Sequence, residues 1–529
     1  MAGAKKYQIK LSSKLNNNSI ANELMTEEVI NFVQEAHSKL ALRHGQLLAT
    51  RQKKQTHYDQ GKYPEYPDKD SEIASGDWNT SQVPENLLDR RVEICVPSTD
   101  ADEVKKVYEA KESDVSSFIF DFEDTVIPRA ESLIEGYRNI YEVINSLQEN
   151  NLDNLPNLMA RVRNLHLHDT ILTDENGSSL IACITDVAFL VSVMGRKQLE
   201  LGRNPKFYIP KIEESLEASW WCDLFGLAEA HFGLPINSCK FTFLIETLPA
   251  AYHVEEIIYN SRQRIVGLNV GKWDRIFSDI KVFRERPERI IQDRFSISMN
   301  QFWMDGFARR VIKICHDRGI MAIGGLANQV PDVSEKYREV QVRRFQQEKR
   351  YEYQIGHDGT WVSDLFFAPL SHNIFKKKNQ ITYKLDNVAK YPDLIASCAG
   401  AQKTLACLQR NIVFCMKYIS SWINGSATLL IDNRLEDLSS LEISRAQVWQ
   451  WRRHKILLDS GEVVDDDLLS KCLEDAYETC HREIQSSISS KGIMLSQESV
   501  LKEAFELTKK LVNCPEMPTY FTEFINIDD

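Results

Sequence analysis

Phe241-Thr242-Phe243-Leu244-Ile245-Glu246-Thr247-Leu248-Pro249 and, one helix further on, Ile265-Val266-Gly267-Leu268-Asn269-Val270-Gly271-Lys272-Trp273-Asp274 decide the fold. Each is a short, nearly continuous apolar run that stops abruptly at polar residues. A continuous run suits a strand buried on both faces, whereas a half-exposed strand would alternate. Ala251–Gln263 lies between them with helical spacing, and the order strand, helix, strand implies parallel pairing. Working outward, six more runs fit the pattern: Val92–Val96, Ser117–Asp121, Asn157–Arg161, Lys206–Pro210, Ile320–Gly324 and Gly359–Ser363. Helix candidates separate most of them, among them Asp102–Glu112, Glu131–Leu147, Leu216–Phe232, Ser296–Arg318 and Asp332–Lys349. Eight repeats over about 280 residues predict a closed (β/α)8 TIM barrel. An open doubly wound sheet is the structural alternative, but no Gly-x-Gly-x-x-Gly follows a strand.

The flanks differ from this core. Residues 1–90 read as helical (Glu27–Arg51) and then extended, with a turn-rich stretch from Asp59 to Pro84. Residues 91–382 hold the barrel pattern, and 383–529 read as all-helical, with helices expected over Ala401–Ile423, Leu441–Leu458, Asp466–Ser487 and Gln497–Val512. Barrels of this kind lower a length-based count of roughly 3.5 domains for 529 residues to two or three units.

Composition excludes several classes. With 43% hydrophobic and 26% charged residues the chain is globular in kind. The net charge of −12 argues against nucleic acid as a partner. No apolar stretch reaches the length of a membrane span, the N-terminus (Lys5, Lys6, Tyr7) lacks a signal-peptide core, and Asn526-Ile527-Asp528-Asp529 is not a Ser-Lys-Leu type address; a cytoplasmic protein is expected. Eleven cysteines with no Cys-x-x-Cys pair read as reduced thiols and argue against zinc.

In a barrel the chemistry sits where strands end. Phe118-Ile119-Phe120 runs into Asp121-Phe122-Glu123-Asp124, three acids that need cations or donors if buried. Glu246 and Asp274 follow successive strands, and two carboxylates there suit Mg²⁺ with room left for water and substrate. Taken singly, each also reads as a helix-capping or turn acid. Arg161, at another strand end, is placed to receive an enolate or a carboxylate. Ser439-Ser440-Leu441-Glu442 matches a capping box, which leaves Asp437 on the turn before it.

These residues fall in segments that resemble the malate synthase family, in its shorter form without an extra inserted domain. The resemblance covers nearly the whole chain: Leu88–Ile94, Phe122-Glu123-Asp124, Arg161-Val162-Arg163, Tyr208-Ile209-Pro210-Lys211, Leu244–Ala250, Gly267–Asp274, Gly324-Gly325, His357–Trp361 and Glu436-Asp437 through Arg445. It implies a TIM barrel with an N-terminal helical clasp and a C-terminal helical plug. It also implies an acyltransferase that condenses acetyl-CoA with glyoxylate and hydrolyses the thioester to malate and CoA, a step of the glyoxylate cycle. In that scheme Glu246 and Asp274 hold Mg²⁺, Asp121 and Glu123 orient metal-bound water, and Asp437 is the base. Arg161 stabilises the enolate, and the backbone amides of Gly271, Lys272 and Trp273 hold the glyoxylate carboxylate. Alternatives are a related Mg²⁺-dependent CoA-ester enzyme acting on another oxo-acid, or a non-catalytic relative. A monomer or small homo-oligomer is expected.

The chain departs from the family pattern at Asn164, Val270, Lys272 and Arg275, at Ser363-Asp364-Leu365, and at Leu438-Ser439-Ser440. The resemblance puts Asp364 where CoA would lie, so its carboxylate is expected to repel the CoA phosphates.

Overall fold

The computed structural model describes residues 8–147, 155–398, 400–485 and 498–525. Lys5, Lys6, Ser486, Ser487, Gln497 and Asn526–Asp529, read above as termini or helix ends, lie outside the described residues. Eight parallel strands close into a barrel: β1 (Val92–Pro97), β2 (Ser117–Asp121), β3 (Asn157–Arg161), β4 (Lys206–Ile209), β5 (Lys240–Ile245), β6 (Ile265–Val270), β7 (Met321–Ala327) and β8 (Gly359–Val362). Each strand pairs with the next and β8 pairs with β1. Every residue of β5 and β6 is buried, which is why their apolar runs are unbroken.

The barrel interior carries one polar cluster. Arg90 donates to Glu93 (2.7 Å), to the Thr242 hydroxyl (2.9 Å) and to the Tyr208 hydroxyl (2.6 Å). The Trp361 indole N–H donates to Glu93 Oε2 at 3.0 Å. A guanidinium can be buried here because its donors find acceptors. On its other side the Trp361 ring faces the Arg161 guanidinium at 5.8 Å, so this cluster forms the floor of the barrel mouth.

The N-terminal helix α1 (Glu27–Asp59) is capped by Thr26, whose hydroxyl accepts from Val29 N–H. It continues past the expected end at Arg51 because its last turns are tied to the barrel. Arg51 pairs with Glu217 (2.6 Å), Gln55 donates to the Lys281 carbonyl (3.0 Å) and Asp59 pairs with Arg284 (2.7 Å). The extended stretch that follows is held by Tyr66, which donates to the Pro392 carbonyl (2.6 Å), and by Trp78, stacked under Arg318 at 3.9 Å.

After the barrel helix α2 (Trp273–Val282), the C-terminal helices are α3 (Leu405–Ile423), α4 (Leu438–Arg453), α5 (Asp466–Gln485) and α6 (Glu498–Asn513). They share apolar clusters of their own, and α4 packs on α2. Two sheets were not expected. One joins Lys10–Leu11, His168–Thr173 and Ser179–Ile181. The other is a hairpin, β9 (Leu429–Ile431) and β10 (Arg434–Glu436), turned by Asp432 and Asn433 at φ 50° and 56°. Asp and Asn are among the few side chains that accept such angles.

All eleven cysteines are free. Among the described residues no helix is long and apolar enough to cross a membrane.

At the β8–β1 seam the backbones approach so closely that a Cβ on Gly359 would lie 1.7 Å from the Arg90 carbonyl oxygen. Backbone cannot yield as a flexible side chain can, so Gly359→Ala is expected to lower the melting temperature by several degrees, or to prevent soluble expression. Scanning calorimetry checks this; an unchanged melt would show that the seam opens without cost.

Candidate active site

Asp121 and Arg161 end adjacent strands at paired positions. Asp121 grips Arg161 with both oxygens, at 2.5 Å to Nε and 2.6 Å to Nη2. It also accepts from Glu123 N–H (3.0 Å) and the Thr125 hydroxyl (2.6 Å). So Asp121 is committed to aiming Arg161. Asp124, to which the sequence reading gave no role, lies 2.8 Å from Lys211 Nζ. Glu123 lies 2.6 Å from the same ammonium and 2.9 Å from the Asn164 amide.

Lys211 is the second residue the sequence reading left without a role. It follows β4, is buried, and places its ammonium 3.1 Å from Asp274 Oδ1. Its backbone N–H donates to Glu246 Oε1 at 2.7 Å. The surplus of acids at strand ends was the available signal, since buried carboxylates require a buried cation.

Glu246 follows β5 and lies against Gly271. A Cβ at 271 would come within 2.6 Å of Glu246 Cβ, so only glycine lets the two strand ends sit this close. The Gly271 amide donates to the Ile245 carbonyl (3.1 Å). That overturns its expected part in holding a carboxylate, because the amide is already used in the ladder. The amides of Lys272 and Trp273 open helix α2, where N–H groups have no partner within the helix and favour an anion. The Lys272 ammonium lies over the Trp273 ring at 4.5 Å.

Asp437 comes from the C-terminal helices. It is itself the N-cap of α4, its Oδ1 accepting from Ser439 N–H (3.1 Å) and Ser439 Oγ (2.5 Å). This corrects the expected capping box. Glu442 instead pairs with Arg445 and accepts from Phe521 N–H at 2.7 Å. The cap is pinned to the barrel from both sides. Leu438 N–H donates to the Asp124 carbonyl (3.3 Å), and Leu435 N–H donates to the Asn328 carbonyl beyond β7 (2.7 Å). Asp437 therefore lines one cavity of about 50 Å³ together with Arg161, Glu246, Asp274 and Asp124. A roomier cleft, of about 630 Å³ between α1 and residues 62–67, contains none of these groups.

Burial in this acid-rich cavity raises several carboxyls. Burial, then the neighbouring Asp274, pushes Glu246 up to about 8. Burial pushes Asp274 up to about 6, against the pull of Lys211. Burial and then Asp124 push Asp437 up to about 7. For Asp124 burial acts upward too, but Lys211 and Arg161 outweigh it and hold the group below the usual range.

The donor set suits a hard cation. Glu123 Oε2 and Asp274 Oδ1 are buried and accept no hydrogen bond among the described residues. Six carboxylates (Asp121, Glu123, Asp124, Glu246, Asp274, Asp437) face two cations (Arg161, Lys211), so a divalent ion would relieve the surplus. Among the described residues no three His, Cys, Asp or Glu side chains already converge at ligand spacing. A site with two protein carboxylates and several waters is typical of Mg²⁺.

Two departures from the family pattern are accounted for by the structure. Asp364 caps the turn Leu365–Phe367, accepting from Phe366 N–H at 2.8 Å, so this carboxylate is engaged by its own backbone. Arg275 turns away from the cavity, pairing with Asp279 and donating to the Leu394 carbonyl at 2.6 Å.

A family model described as malate synthase, TIM barrel domain, matches residues 157–395, and one described as malate synthase, C-terminal, matches 402–524. Malate synthase A of Escherichia coli (strain K12) is 32% identical over 514 residues, covering 94% of this chain and 95% of that protein. Malate synthase of Arabidopsis thaliana is 32% identical over 527 residues, covering 94% and 91%. Malate synthase of Dictyostelium discoideum is 32% identical over 477 residues, covering 86% and 87%.

The raised carboxyls carry a stability signature. Asp437 binds its proton more tightly folded than unfolded, so it favours the folded state while protonated and ceases to do so as pH rises through about 7. In EDTA, the melting gap of Asp437→Asn over wild type is therefore expected to grow from about pH 4 to about pH 7 and to level off above it. For Glu246→Gln the rise continues to about pH 8. Melting curves of the three proteins across this range check the sign; a gap that does not grow with pH would mean these carboxyls are not raised.

Proposed function

Because the chain belongs to the malate synthase family, we propose that it condenses acetyl-CoA with glyoxylate and hydrolyses the product to malate and CoA through the cavity described above. The observation that carries this reading is the arrival of Asp437 on a separate helical unit, in one cavity with Arg161, Glu246 and Asp274. Removing a proton from a thioester methyl needs a base and a cation facing the oxygen that becomes negative. Asp437 is the base: Ser439 fixes its Oδ1, and burial keeps its proton affinity near neutrality. Arg161 faces the enolate oxygen, its guanidinium plane set by the two-point grip of Asp121. The Lys272 and Trp273 amides at the start of α2 orient the glyoxylate carboxylate, and Gly271 leaves the space beside them.

Glu246 and Asp274 would hold Mg²⁺, with Glu123 and Asp124 on its water side; when bound, the ion supplies a Lewis acid for the glyoxylate aldehyde. In this scheme residues 91–382 supply metal and oxo-acid binding, 383–529 the base, and 1–90 the clasp.

The test is product formation. Purified protein with Mg²⁺, acetyl-CoA and glyoxylate is expected to give malate and CoA by mass spectrometry, and Asp437→Asn to lower kcat by on the order of 10² or more while keeping the far-UV spectrum. Absence of malate from folded wild type, or a product only with another oxo-acid, would overturn the reading. Near-normal turnover of the variant would remove Asp437 from the chemistry.

A further inference from the structure

Lys211 touches more of the acid cluster than any role named above requires. It follows Pro210 with φ at +50°, a left-handed conformation that residues other than glycine seldom hold. That twist aims its N–H at Glu246 Oε1 (2.7 Å) and its carbonyl at Arg51 Nη2 (2.8 Å). Its ammonium, 4% exposed, reaches Glu123 (2.6 Å), Asp124 (2.8 and 3.0 Å) and Asp274 (3.1 Å). One residue thus holds Glu246 through the main chain and Asp274 through the side chain.

We propose that Lys211 is a positioning residue that assembles the divalent-cation site. Its ammonium keeps Asp274 in place beforehand and is exchanged off that carboxylate when the ion binds, remaining on Glu123 and Asp124. This rests on reading Glu246 and Asp274 as the ligands. The contacts make the exchange feasible. The contact to Asp274 Oδ1, at 3.1 Å, is the longest of the set, while Asp124 takes the ammonium with both oxygens. A compact ammonium on a flexible stem can shift between carboxylates, which a planar guanidinium fork cannot do as freely.

The exchange makes Lys211 a competitor of the ion, and that has a readout independent of turnover. Mn²⁺ binding is measured by the electron paramagnetic resonance signal of the free ion, without substrates. Lys211→Met keeps the backbone N–H and the stem, so it is expected to bind Mn²⁺ about tenfold more tightly or better, since the competing charge is gone. Asp124→Asn frees the ammonium for Asp274 and is expected to bind Mn²⁺ at least about threefold more weakly. Lys281→Met removes a buried charge that pairs with Glu213, outside the cluster, and should stay within about threefold of wild type. A purely structural lysine would not give tighter binding on removal. Lys211→Met with an unchanged or higher Kd overturns the proposal. So does a Lys281→Met shift as large as that of Lys211→Met. Should Lys211→Met fail to fold by circular dichroism, Asp124→Asn decides, an unchanged Kd counting against the exchange. Glu246→Gln tests the underlying ligand reading separately: it should abolish Mn²⁺ binding, and its failure to do so sinks that reading whatever the lysine variants show.

Discussion

The interaction on which the rest depends is the unequal balance of buried charge at the barrel mouth. Six carboxylates stand against Arg161 and Lys211, in a place where a lone ionised carboxyl would cost several kcal/mol. Each cation is therefore claimed by more than one acid, and each claim fixes geometry. Asp121 takes two donors of Arg161 and in doing so sets the direction of the guanidinium. Lys211 is shared by Glu123, Asp124 and Asp274. Burial raises Glu246, Asp274 and Asp437, and Glu123 as well although Lys211 and Arg161 pull against it. A raised carboxyl can act as a base near neutral pH, and an acid pair short of cations favours a metal.

That balance explains why the C-terminal helices dock as they do. Asp437 must be desolvated to have this proton affinity, and it must be rigid to be useful. Both follow from one arrangement. As the N-cap of α4 its Oδ1 is fixed by Ser439, and the first amide of that helix reaches back to the Asp124 carbonyl. The β9–β10 hairpin, pinned at Asn328, approaches from the other side. Asp437, the proposed base, is thus located by backbone contacts rather than by side-chain packing alone, so the docking of the helical unit also brings Asp437 to the barrel mouth.

The barrel could be read from the sequence because its strands are buried on both faces and leave long apolar runs; all eight appear at the expected places. The small sheets could not. Lys10–Leu11 and the β9–β10 strands are two or three residues long, too short for any period to register, and the turn at Asp432-Asn433 was the only signal available. At the site, strand-end position singled out Arg161, Glu246 and Asp274, and Asp437 was reached only through the family resemblance. What position cannot give is the direction of a side chain or the prior use of an amide. Asp121 ends β2 and Asp124 follows three residues later, and only the register with Arg161 tells which faces which way. The Gly271 amide is likewise lost to the Ile245 carbonyl, which no motif reveals.

The net charge of −12 looks unfavourable for a protein that receives two anions, yet the acids at the barrel mouth are buried and divided among Arg161, Lys211 and the space between Glu246 and Asp274. The surfaces assigned to substrate are the positive ones, an oriented guanidinium and the amide end of α2. The same separation accounts for where the chain has drifted from its relatives. Arg275 and Asp279 form an internal pair turned toward Leu394, outside the acid network, and Asp364 satisfies its own turn. A new charge is tolerated where it finds a local partner. Inside the network any change of charge must be met by Lys211, Arg161 or a bound cation at once; the departures there, Asn164 and Ser439, are neutral and donate to Glu123 and Asp437.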